Sequence, residues 1–460
     1  MLEEWKALGL VTSLLVILFL TRSLLYRSIQ VALVYWRVPW KNAKGERMRG
    51  ELPHLPYGHF HQVNFFGRPL SKIHGPIYYI WHCLTPVVIL ADADAIRSFY
   101  TDHYSHQRDR DFTCLGTVFK DILGNCLATS HGRDEVRRCR GPFEKYFSSS
   151  AVSATLRTIG RECTTFLNSL PVGRPVDLQK EGLANVTLRV LVQVVYGEEV
   201  LQKYFQRIME VSDLLQDAVN QFNVGETRLP FYSYVPSKVN KTAQAFNEAW
   251  EAFNLFLFEE YEEGRLSFAA TSFALADLAR YTSVQEIVQQ EVDDILLGAD
   301  PSSSEDLDNK LPYMEMVLKE SARMNPALAL SLPERTVKPV TDIGGYQIPK
   351  GTPVCVDTQS LNFSEKYWRN PDKFDPSRFA NGARPVPGSL FRFGMGPRKC
   401  LGYRYALAIT RIVVASVLQR YNLQLANPDA ARRVKTKGMT FFTPFLCPEI
   451  IFNERLKNNA

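Results

Sequence analysis

The 460-residue chain lacks several patterns that mark common functional classes. Its eight cysteines form no C-x-x-C pair and show no regular spacing, which argues against a disulfide framework and against zinc, and favours a reducing compartment. No run of lysine and arginine interleaved with aromatics occurs, and a net charge of +6 is far from that of a nucleic-acid binder. No Rossmann fingerprint and no flavin-binding segment is present, so any electrons that the protein uses must come from a separate donor.

The sequence also lacks internal repeats and low-complexity linkers between residues 41 and 460, which predicts one large domain. Hydrophobic residues make up 45% of the chain, enough for a large core. Proline-led apolar runs at 76–80 and 86–90 predict a β-hairpin. Helical periodicity is present in many segments, among them 241–262, 278–297, 313–324 and 401–423. The predicted fold class is mainly α with small β-sheets.

The first 40 residues predict a membrane anchor. The uncharged run from Ala7 to Thr21 is 15 residues long, short for a spanning helix unless later residues contribute. A cleaved signal peptide and an interfacial helix are the alternatives, but no small-x-small cleavage site follows the run. Arg22, Arg27 and Arg37 follow it, and the positive-inside rule then leaves the rest of the chain in the cytosol.

One cysteine lies in an unusual sequence context. Cys400 follows Gly394 and Gly396 and precedes Gly402, with basic residues beside it and an apolar helical segment directly after it. Glycines let the backbone turn sharply and let a flat ligand come close. A sulfur at a helix N-terminus is predicted to favour the thiolate. Such a thiolate suits an axial ligand to haem iron.

The spacing Phe-Gly-x-Gly-x-Arg-x-Cys-x-Gly, from Phe393 to Gly402, resembles the haem-ligand loop of the cytochromes P-450. The resemblance implies that haem b is the cofactor and that Cys400 is the proximal ligand of its iron. It also implies that Arg398 contacts a haem propionate, that Phe393 packs against the thiolate, and that Gly394 and Gly402 belong to the haem-contacting loop. Arg335, in Leu-Pro-Glu-Arg, is a second candidate for a propionate.

Another family pattern is Glu320-Ser-Ala-Arg323, which places opposite charges on one helix face. An isolated pair of this kind is more often a solvated surface pair. The segment from Trp368 to Phe379 resembles the meander of the cytochromes P-450, and the resemblance implies a buried triad of Glu320, Arg323 and Arg378 that fixes the haem-side core. Buried charges need such partners.

Two segments depart from the family pattern. Val136 stands where the family usually has a tryptophan, so only Arg140 of that propionate-binding pair carries over. The family's oxygen-activation helix carries an acid and a threonine that relay protons. Here Thr271 is the nearest match for the hydroxyl and Ala270 occupies the place of the acid. Thr271 precedes Leu278 by seven residues, whereas the family spacing is about three turns.

Three explanations remain open for the shortened helix. The sequence is a mistranslated or mis-spliced version of an ordinary monooxygenase, a haem-dependent peroxide isomerase or dehydratase, or an inactive haem-binding relic. The resemblance favours a monooxygenase that takes electrons from NADPH through a separate cytochrome P-450 reductase. Its implied substrate is a lipophilic small molecule, such as a terpenoid, polyketide, sterol or fatty acid, in secondary metabolism of the fungal type. The implied location is the endoplasmic reticulum membrane, single-pass, with the catalytic domain facing the cytosol.

Overall fold

The computed structural model describes residues 21–22, 24–55, 58–59, 70–102, 106–108, 130, 132–178, 182–221, 232–258, 269–304, 307–430, 434–435 and 445–455. Within them the fold is mainly helical with small sheets, as the sequence predicts. The helices are α1 (Leu70–His74), α2 (Ala93–Thr101), α3 (Gly132–Glu144), α4 (Ser149–Ser169), α5 (Leu183–Tyr196), α6 (Glu198–Gln221), α7 (Lys238–Phe258), α8 (Ala269–Arg280), α9 (Thr282–Leu296), α10 (Leu307–Lys310), α11 (Pro312–Met324), α12 (Thr358–Asn362) and α13 (Tyr403–Arg420).

The strands form four small sheets in the described part of the chain. The largest has the order β1-β2-β8-β5-β3, and the others are β4-β12-β9, β6-β7 and β10-β11. The strand bounds are β1 (Ile77–His82), β2 (Thr85–Leu90), β3 (His106–Arg108), β4 (Pro175–Val176), β5 (Glu334–Thr336), β6 (Val340–Ile343), β7 (Tyr346–Pro349), β8 (Pro353–Val356), β9 (Tyr421–Leu425), β10 (Val434–Lys435), β11 (Phe445–Leu446) and β12 (Ile450–Glu454).

The predicted hairpin is present as β1 and β2, which pair antiparallel from Ile77 with Leu90 to His82 with Thr85. All of β1 and nearly all of β2 are buried, as expected for strands that are apolar on both faces. At the other edge of the same sheet, β3 pairs antiparallel with β5, so that Arg108 lies opposite Glu334. This edge carries charged residues into the interior.

The main helical core is built on α13. Its side chains from Ala408 to Leu418 are buried apart from Arg411, and they pack with residues of α4, α8, α9 and α11 in one hydrophobic cluster. Helix α11 begins at Pro312, and Glu291 of α9 accepts hydrogen bonds from the backbone N–H groups of Tyr313 and Met314 at 2.7 and 2.8 Å. A carboxylate at a helix N-terminus satisfies donors that have no partner within the helix. The cluster therefore fixes α11 and α13 relative to each other.

Two sequence predictions of single helices are wrong in their extent. The segment 401–423 is helical only from Tyr403 to Arg420, because Tyr421–Leu425 forms β9 and pairs with β12. The segment 278–297 is two helices, since α8 ends at Arg280 and α9 begins at Thr282. At β9 the pairing with β12 overrides a local apolar period, whereas the break between α8 and α9 is at Tyr281, whose backbone is not helical.

The predicted membrane anchor falls largely on residues 1–20, which lie outside the described residues. Residues 24–37 are helical. In the part of the chain that the structure describes, no helix has the length and apolar character needed to cross a membrane.

Candidate haem-binding site

The loop that carries Cys400 begins at buried Phe391 and ends where α13 begins. Gly394 and Gly396 have φ values of +76° and +67°, a left-handed conformation that glycine adopts without steric cost. The Cys400 backbone N–H donates to the Phe393 carbonyl at 2.8 Å, which closes the loop on itself. Cys400 lies three residues before the first residue of α13, and Gly402 is the N-cap.

Among the described cysteines, only Cys400 is exposed. Nevertheless, desolvation by the surrounding protein raises the pKa of its thiol. A hydrogen bond from the Gly402 backbone and the charges of Arg140 and Lys399 lower this pKa, but by less. The prediction that the loop itself favours a thiolate is therefore wrong, because burial outweighs the helix terminus. A coordinated cation deprotonates a thiol outright, so an accessible sulfur of this kind suits a metal ligand.

Two of the predicted propionate contacts lie beside this loop. Arg140 of α3 donates to the Lys399 carbonyl at 2.9 Å and also pairs with Glu144. Arg398 donates to the Ser130 hydroxyl at 2.9 Å. Both guanidiniums are partly buried, and each carries five N–H groups. Arg335 is on β5 opposite Gln107, on the face of the strand opposite to Glu334.

The chemistry of these residues fits a haem. An exposed thiol, two fixed arginines and glycines in a tight turn match an iron ligand with carboxylate donors nearby. Buried polar atoms without a partner also cluster near Arg398: both ring nitrogens of His106, the Arg108 Nε and one oxygen of Glu334. The sequence does not predict this cluster, because the cluster depends on the pairing of β3 with β5, which are far apart in the chain. The only local signal is a charged residue in a short strand between apolar segments.

The predicted charge triad is in direct contact. Arg323 donates twice to Glu320 at 2.8 Å, and Arg378 Nε donates to Glu320 at 3.2 Å. The side chains of Glu320 and Arg323 are 0% exposed, so the pair is not the solvated surface pair that an isolated motif would suggest. The Asp375 backbone N–H also donates to Glu320 at 2.9 Å. This ties α11 to the segment from residue 369 to residue 378.

Thr271 lies in the first turn of α8 and is buried. Its hydroxyl is 2.9 Å from the hydroxyl of Thr410 on α13, and Thr410 also donates to the Ala406 carbonyl. The structure thus gives the Thr271 hydroxyl a partner on the helix that follows Cys400. Its role in a proton relay stays a prediction.

The family resemblance implies that the substrate pocket is lined by the segments 109–123, 219–224, 327–332 and 440–442. Residues 109–123, 222–224 and 440–442 lie outside the described residues. The remaining wall, 327–332, is described. Leu330 is fully buried in a hydrophobic cluster, and Leu332 packs against that cluster.

Comparisons with known proteins agree with this geometry. The family model described as Cytochrome P450 matches residues 267–445. The chain is 26% identical over 494 residues to "Cytochrome P450 monooxygenase verC" of Clonostachys rogersoniana, covering 95% of each protein. It is also 26% identical over 410 residues to "Cytochrome P450 monooxygenase aclC" of Aspergillus oryzae, covering 79% of this chain and 81% of that protein.

Among solved structures, the chain is similar to "Retinoic acid bound cyanobacterial CYP120A1". The TM-score is 0.71 at 19% identity, and the match covers 88% of this chain and 99% of the other. At this identity the likeness shows the fold.

Proposed function

The chain belongs to the cytochrome P-450 superfamily, and we propose that it inserts oxygen from O2 into a C–H bond of a lipophilic small molecule. The observation that carries the proposal is Cys400, the one exposed thiol among the described cysteines, in a glycine turn beside Arg140 and Arg398. As a P-450 monooxygenase, the protein uses haem b and receives electrons from a reductase.

Different residues of this chain would contact different parts of the haem. Cys400 would ligate the iron, Phe393 would pack against the sulfur, and Arg140, Arg398 and Arg335 would hold the propionates. When bound, the haem supplies oxygen activation, to which a thiolate ligand contributes electron density that favours O–O cleavage. The triad of Glu320, Arg323 and Arg378 supports this arrangement from the core.

The lipophilic substrate class is supported by the apolar residues of the segment 327–332, one wall of the predicted pocket. The similarity to two proteins named as fungal monooxygenases supports secondary metabolism. The test is titration of the ferric protein with a terpenoid, a fatty acid and matched polar compounds while the haem spectrum is recorded. Stronger binding of the polar compounds would contradict this substrate class.

The reductase partner is proposed to be the NADPH-dependent cytochrome P-450 reductase, docking on basic residues near Cys400. Lys399 and Arg404 both lie over the ring of Tyr403, at 3.8 and 4.6 Å from its centroid. Burial lowers the pKa of the neighbouring Arg392 to about 10, and Arg392 is partly exposed. An acidic partner on a basic surface predicts that turnover falls with rising ionic strength.

The anchoring of the chain in the endoplasmic reticulum membrane, with the catalytic domain in the cytosol, is part of the proposal. It is supported by the apolar run from Ala7 to Leu20 and by the arginines that follow it. The test is expression of the chain with and without residues 1–40, followed by alkaline extraction of the membranes and protease treatment of intact microsomes. Recovery of the full chain in the alkaline supernatant would contradict a spanning anchor.

The experiment that tests the catalytic proposal has two stages. The reduced protein is first treated with carbon monoxide, since thiolate-ligated haem gives a distinctive red-shifted band, which Cys400→Ala is expected to remove. Turnover is then measured with NADPH and reductase, and separately with a lipid hydroperoxide. A red-shifted band with hydroperoxide conversion that needs no NADPH would favour the peroxide isomerase or dehydratase. That second candidate is supported by the contact of Thr271 with Thr410. A band with no turnover at all would identify an inactive relic.

A further inference from the structure

The helix over residues 24–37 is attached to the rest of the protein along one side. The Gln30 side chain donates to the Pro53 carbonyl at 2.7 Å, and the Leu55 backbone N–H donates to the Tyr26 hydroxyl at 3.1 Å. The residues that make such contacts recur at helical spacing and are Tyr26, Gln30, Leu33, Val34 and Arg37. This helix, called the 24–37 helix below, is therefore a fixed part of the folded protein and not a free tether.

The opposite side of the 24–37 helix is apolar and exposed. At 3.6 residues per turn, the residues on this side are Leu24, Leu25, Ser28, Ile29, Val31, Ala32, Tyr35 and Trp36, and all are exposed. Leu24 and Leu25 are each 65% exposed, and Tyr35 and Trp36 are 70% and 72% exposed. Ser28 is the only small polar residue among them. A contiguous exposed apolar face of this kind marks an interaction site.

The order of residues along this face is typical of a membrane interface. Aliphatic side chains come first, and Tyr35 and Trp36 come last. Tyrosine and tryptophan favour the level of the lipid headgroups. Both rings have a cation beside them, since the Arg37 guanidinium carbon lies 5.2 Å from the Trp36 ring centroid and that of Arg47 lies 4.2 Å from the Tyr35 ring centroid. Such pairs combine an apolar body with a charged rim, which suits the boundary between acyl chains and headgroups.

The segment directly after this face is basic. Residues 37–51 contain five cations and two carboxylates, an excess of three positive charges. The cations are Arg37, Lys41, Lys44, Arg47 and Arg49, and all but Arg47 are exposed. We call residues 37–49 the basic segment. Cations next to an apolar face complement a surface that is apolar inside and negatively charged outside, as a bilayer with anionic lipids is.

The turn between β1 and β2 adds an apolar side chain at the same place. Leu84 is 49% exposed in this turn, and the Arg37 Nε donates to its carbonyl at 3.4 Å. Two parts of the chain that are far apart in sequence thus present exposed apolar groups at the end of the 24–37 helix. The apolar surface is therefore not confined to one helix.

We propose that the 24–37 helix lies in the plane of a bilayer that contains anionic lipids, with its exposed side at the acyl-chain boundary and the basic segment on the headgroups. A second copy of the chain fits this surface less well, because a symmetric contact would bring the basic segments of the two copies together. The inference rests on the membrane part of the proposed function and deepens it. It concerns residues 24–49 and holds whether or not residues 1–20 span the bilayer.

The test is the quenching of tryptophan fluorescence by brominated phosphatidylcholine in the full-length protein, reconstituted into vesicles of phosphatidylcholine and phosphatidylserine. The emission of one tryptophan is the difference between the wild type and a phenylalanine variant. Trp36→Phe reports on the exposed side of the helix. Trp40→Phe is the matched control, because Trp40 is 3% exposed. We expect the Trp36 emission to be quenched, more by bromine near the headgroup than by bromine near the chain end, and the Trp40 emission to be unaffected.

The orientation of the helix is tested by moving the probe to Leu25. This residue is on the same side, eleven positions before Trp36, which is about 16 Å along the helix axis. In Leu25→Trp/Trp36→Phe, a helix in the plane of the bilayer places the probe at the same depth as Trp36. A much deeper probe at position 25 would mean that residues 24–37 continue a spanning helix, and would overturn the proposal.

Absence of lipid quenching at Trp36 would overturn the proposal as well. If acrylamide also fails to quench Trp36 in that case, another protein or a second copy covers the face. The lipid charge is tested with Lys41→Gln/Lys44→Gln and the control Lys310→Gln/Lys373→Gln, all four lysines being exposed. Quenching of Trp36 should be stronger with phosphatidylserine than without it, and this difference should shrink only in Lys41→Gln/Lys44→Gln. Equal quenching with and without phosphatidylserine in the wild type would overturn the assignment to anionic lipids.

Failure of the spanning anchor is seen separately, by the alkaline extraction described above. A full chain that alkali releases, but whose Trp36 is quenched in vesicles, supports the helix in the bilayer plane without a spanning anchor. A full chain that resists alkali while its Trp36 is not quenched keeps the anchor and overturns the inference.

Discussion

At the scale of single residues, Glu320 has more partners than an ordinary buried carboxylate. It accepts two hydrogen bonds from Arg323, one from Arg378 and one from the Asp375 backbone. Arg323 in turn donates to the Asn362 carbonyl at 2.6 Å. Removing the carboxylate would leave a fully buried guanidinium without its counter-charge, which is far more costly than losing an exposed ion pair.

Glu320→Ala is therefore expected to lower the free energy of unfolding by about 3–5 kcal/mol and to abolish haem incorporation. The measurements are denaturant unfolding and the carbon monoxide difference spectrum of the reduced protein. Glu315→Gln on the same helix is the matched control, because Glu315 pairs with Arg411 at a partly exposed site. A Glu320→Ala protein with full haem content would show that the triad does not fix the haem-side core.

Cys400 shows how far a residue's chemistry can be predicted from its neighbours in sequence. The glycine spacing locates the loop, and the φ values of Gly394 and Gly396 agree with it. The state of the thiol could not be predicted, because desolvation by distant parts of the chain raises its pKa more than the local N–H group and the nearby cations lower it. The proximity of His106 and Glu334 could not be predicted for the same reason, since only the pairing of β3 with β5 brings them together.

At the scale of secondary-structure elements, the contact between α8 and α13 raises the question of whether Thr271 joins the two helices or relays protons. Thr271→Val removes the 2.9 Å hydrogen bond to Thr410, and Thr410 keeps its bond to Ala406. If the contact only joins the two helices, the variant loses about 1 kcal/mol of stability, and its ratio of product to NADPH consumed equals that of the wild type. Thr410→Val is the control, because it breaks the same contact from the other helix. Uncoupled peroxide formation in Thr271→Val alone would instead support a proton relay.

Helix α2 provides a prediction about pH. Asp92 is its N-cap and accepts from the backbone N–H groups of Asp94 and Ala95, while Lys366 and Tyr367 also donate to it. Burial raises the pKa of Asp92, but the hydrogen bonds from Lys366, Tyr367 and the Ala95 backbone together lower it by more, so the net effect is a pKa below the usual value of 3.8. A carboxyl with a lowered pKa stabilises the fold above its unfolded pKa, and this stability is lost as pH falls through the folded pKa.

Asp92→Asn should keep the cap, because asparagine caps helices as well as aspartate does, but lose the contribution of the charge. We expect its thermal midpoint to lie below that of the wild type at pH 6 and the difference to shrink toward pH 3. Asp94→Asn is the control, since Asp94 is exposed and pairs with Arg97. Parallel pH profiles for wild type and Asp92→Asn would contradict the assignment.

The elements themselves were predictable where the apolar pattern is local. The hairpin of β1 and β2 and the helix α11 follow their sequence signals to within about two residues. The pattern fails at β9, where alternate residues of Tyr421–Leu425 are buried. This alternation is a strand signal, but the apolar residues directly continue the helical segment before them, so the predicted helix extends too far. The pairing with β12 makes the segment a strand.

At the scale of the whole molecule, the junction between α7 and α8 is where this chain departs from its family. Helix α8 has 12 residues and begins at Ala269, two positions before Thr271. Asp277, the acid of α8, is buried and accepts hydrogen bonds from Ser321 and Asn325 of α11 and its C-cap. The described contacts of Thr271 and Asp277 therefore do not form a proton relay. The family resemblance implies an apolar helical segment on the order of five turns upstream of Thr271.

The mature transcript should therefore contain additional codons between those for Glu259 and Leu278. We expect them to encode an apolar helical segment that bears an acid–threonine pair, and sequencing of the transcript from the producing cells checks this. The protein with that segment restored should convert substrate with NADPH and reductase, whereas the 460-residue chain should bind haem through Cys400 but couple poorly. The control is Cys400→Ala in the restored protein, which should lose both activities. A transcript identical to the sequence would contradict the splicing explanation, and the hydroperoxide assay would then decide between an isomerase and an inactive relic.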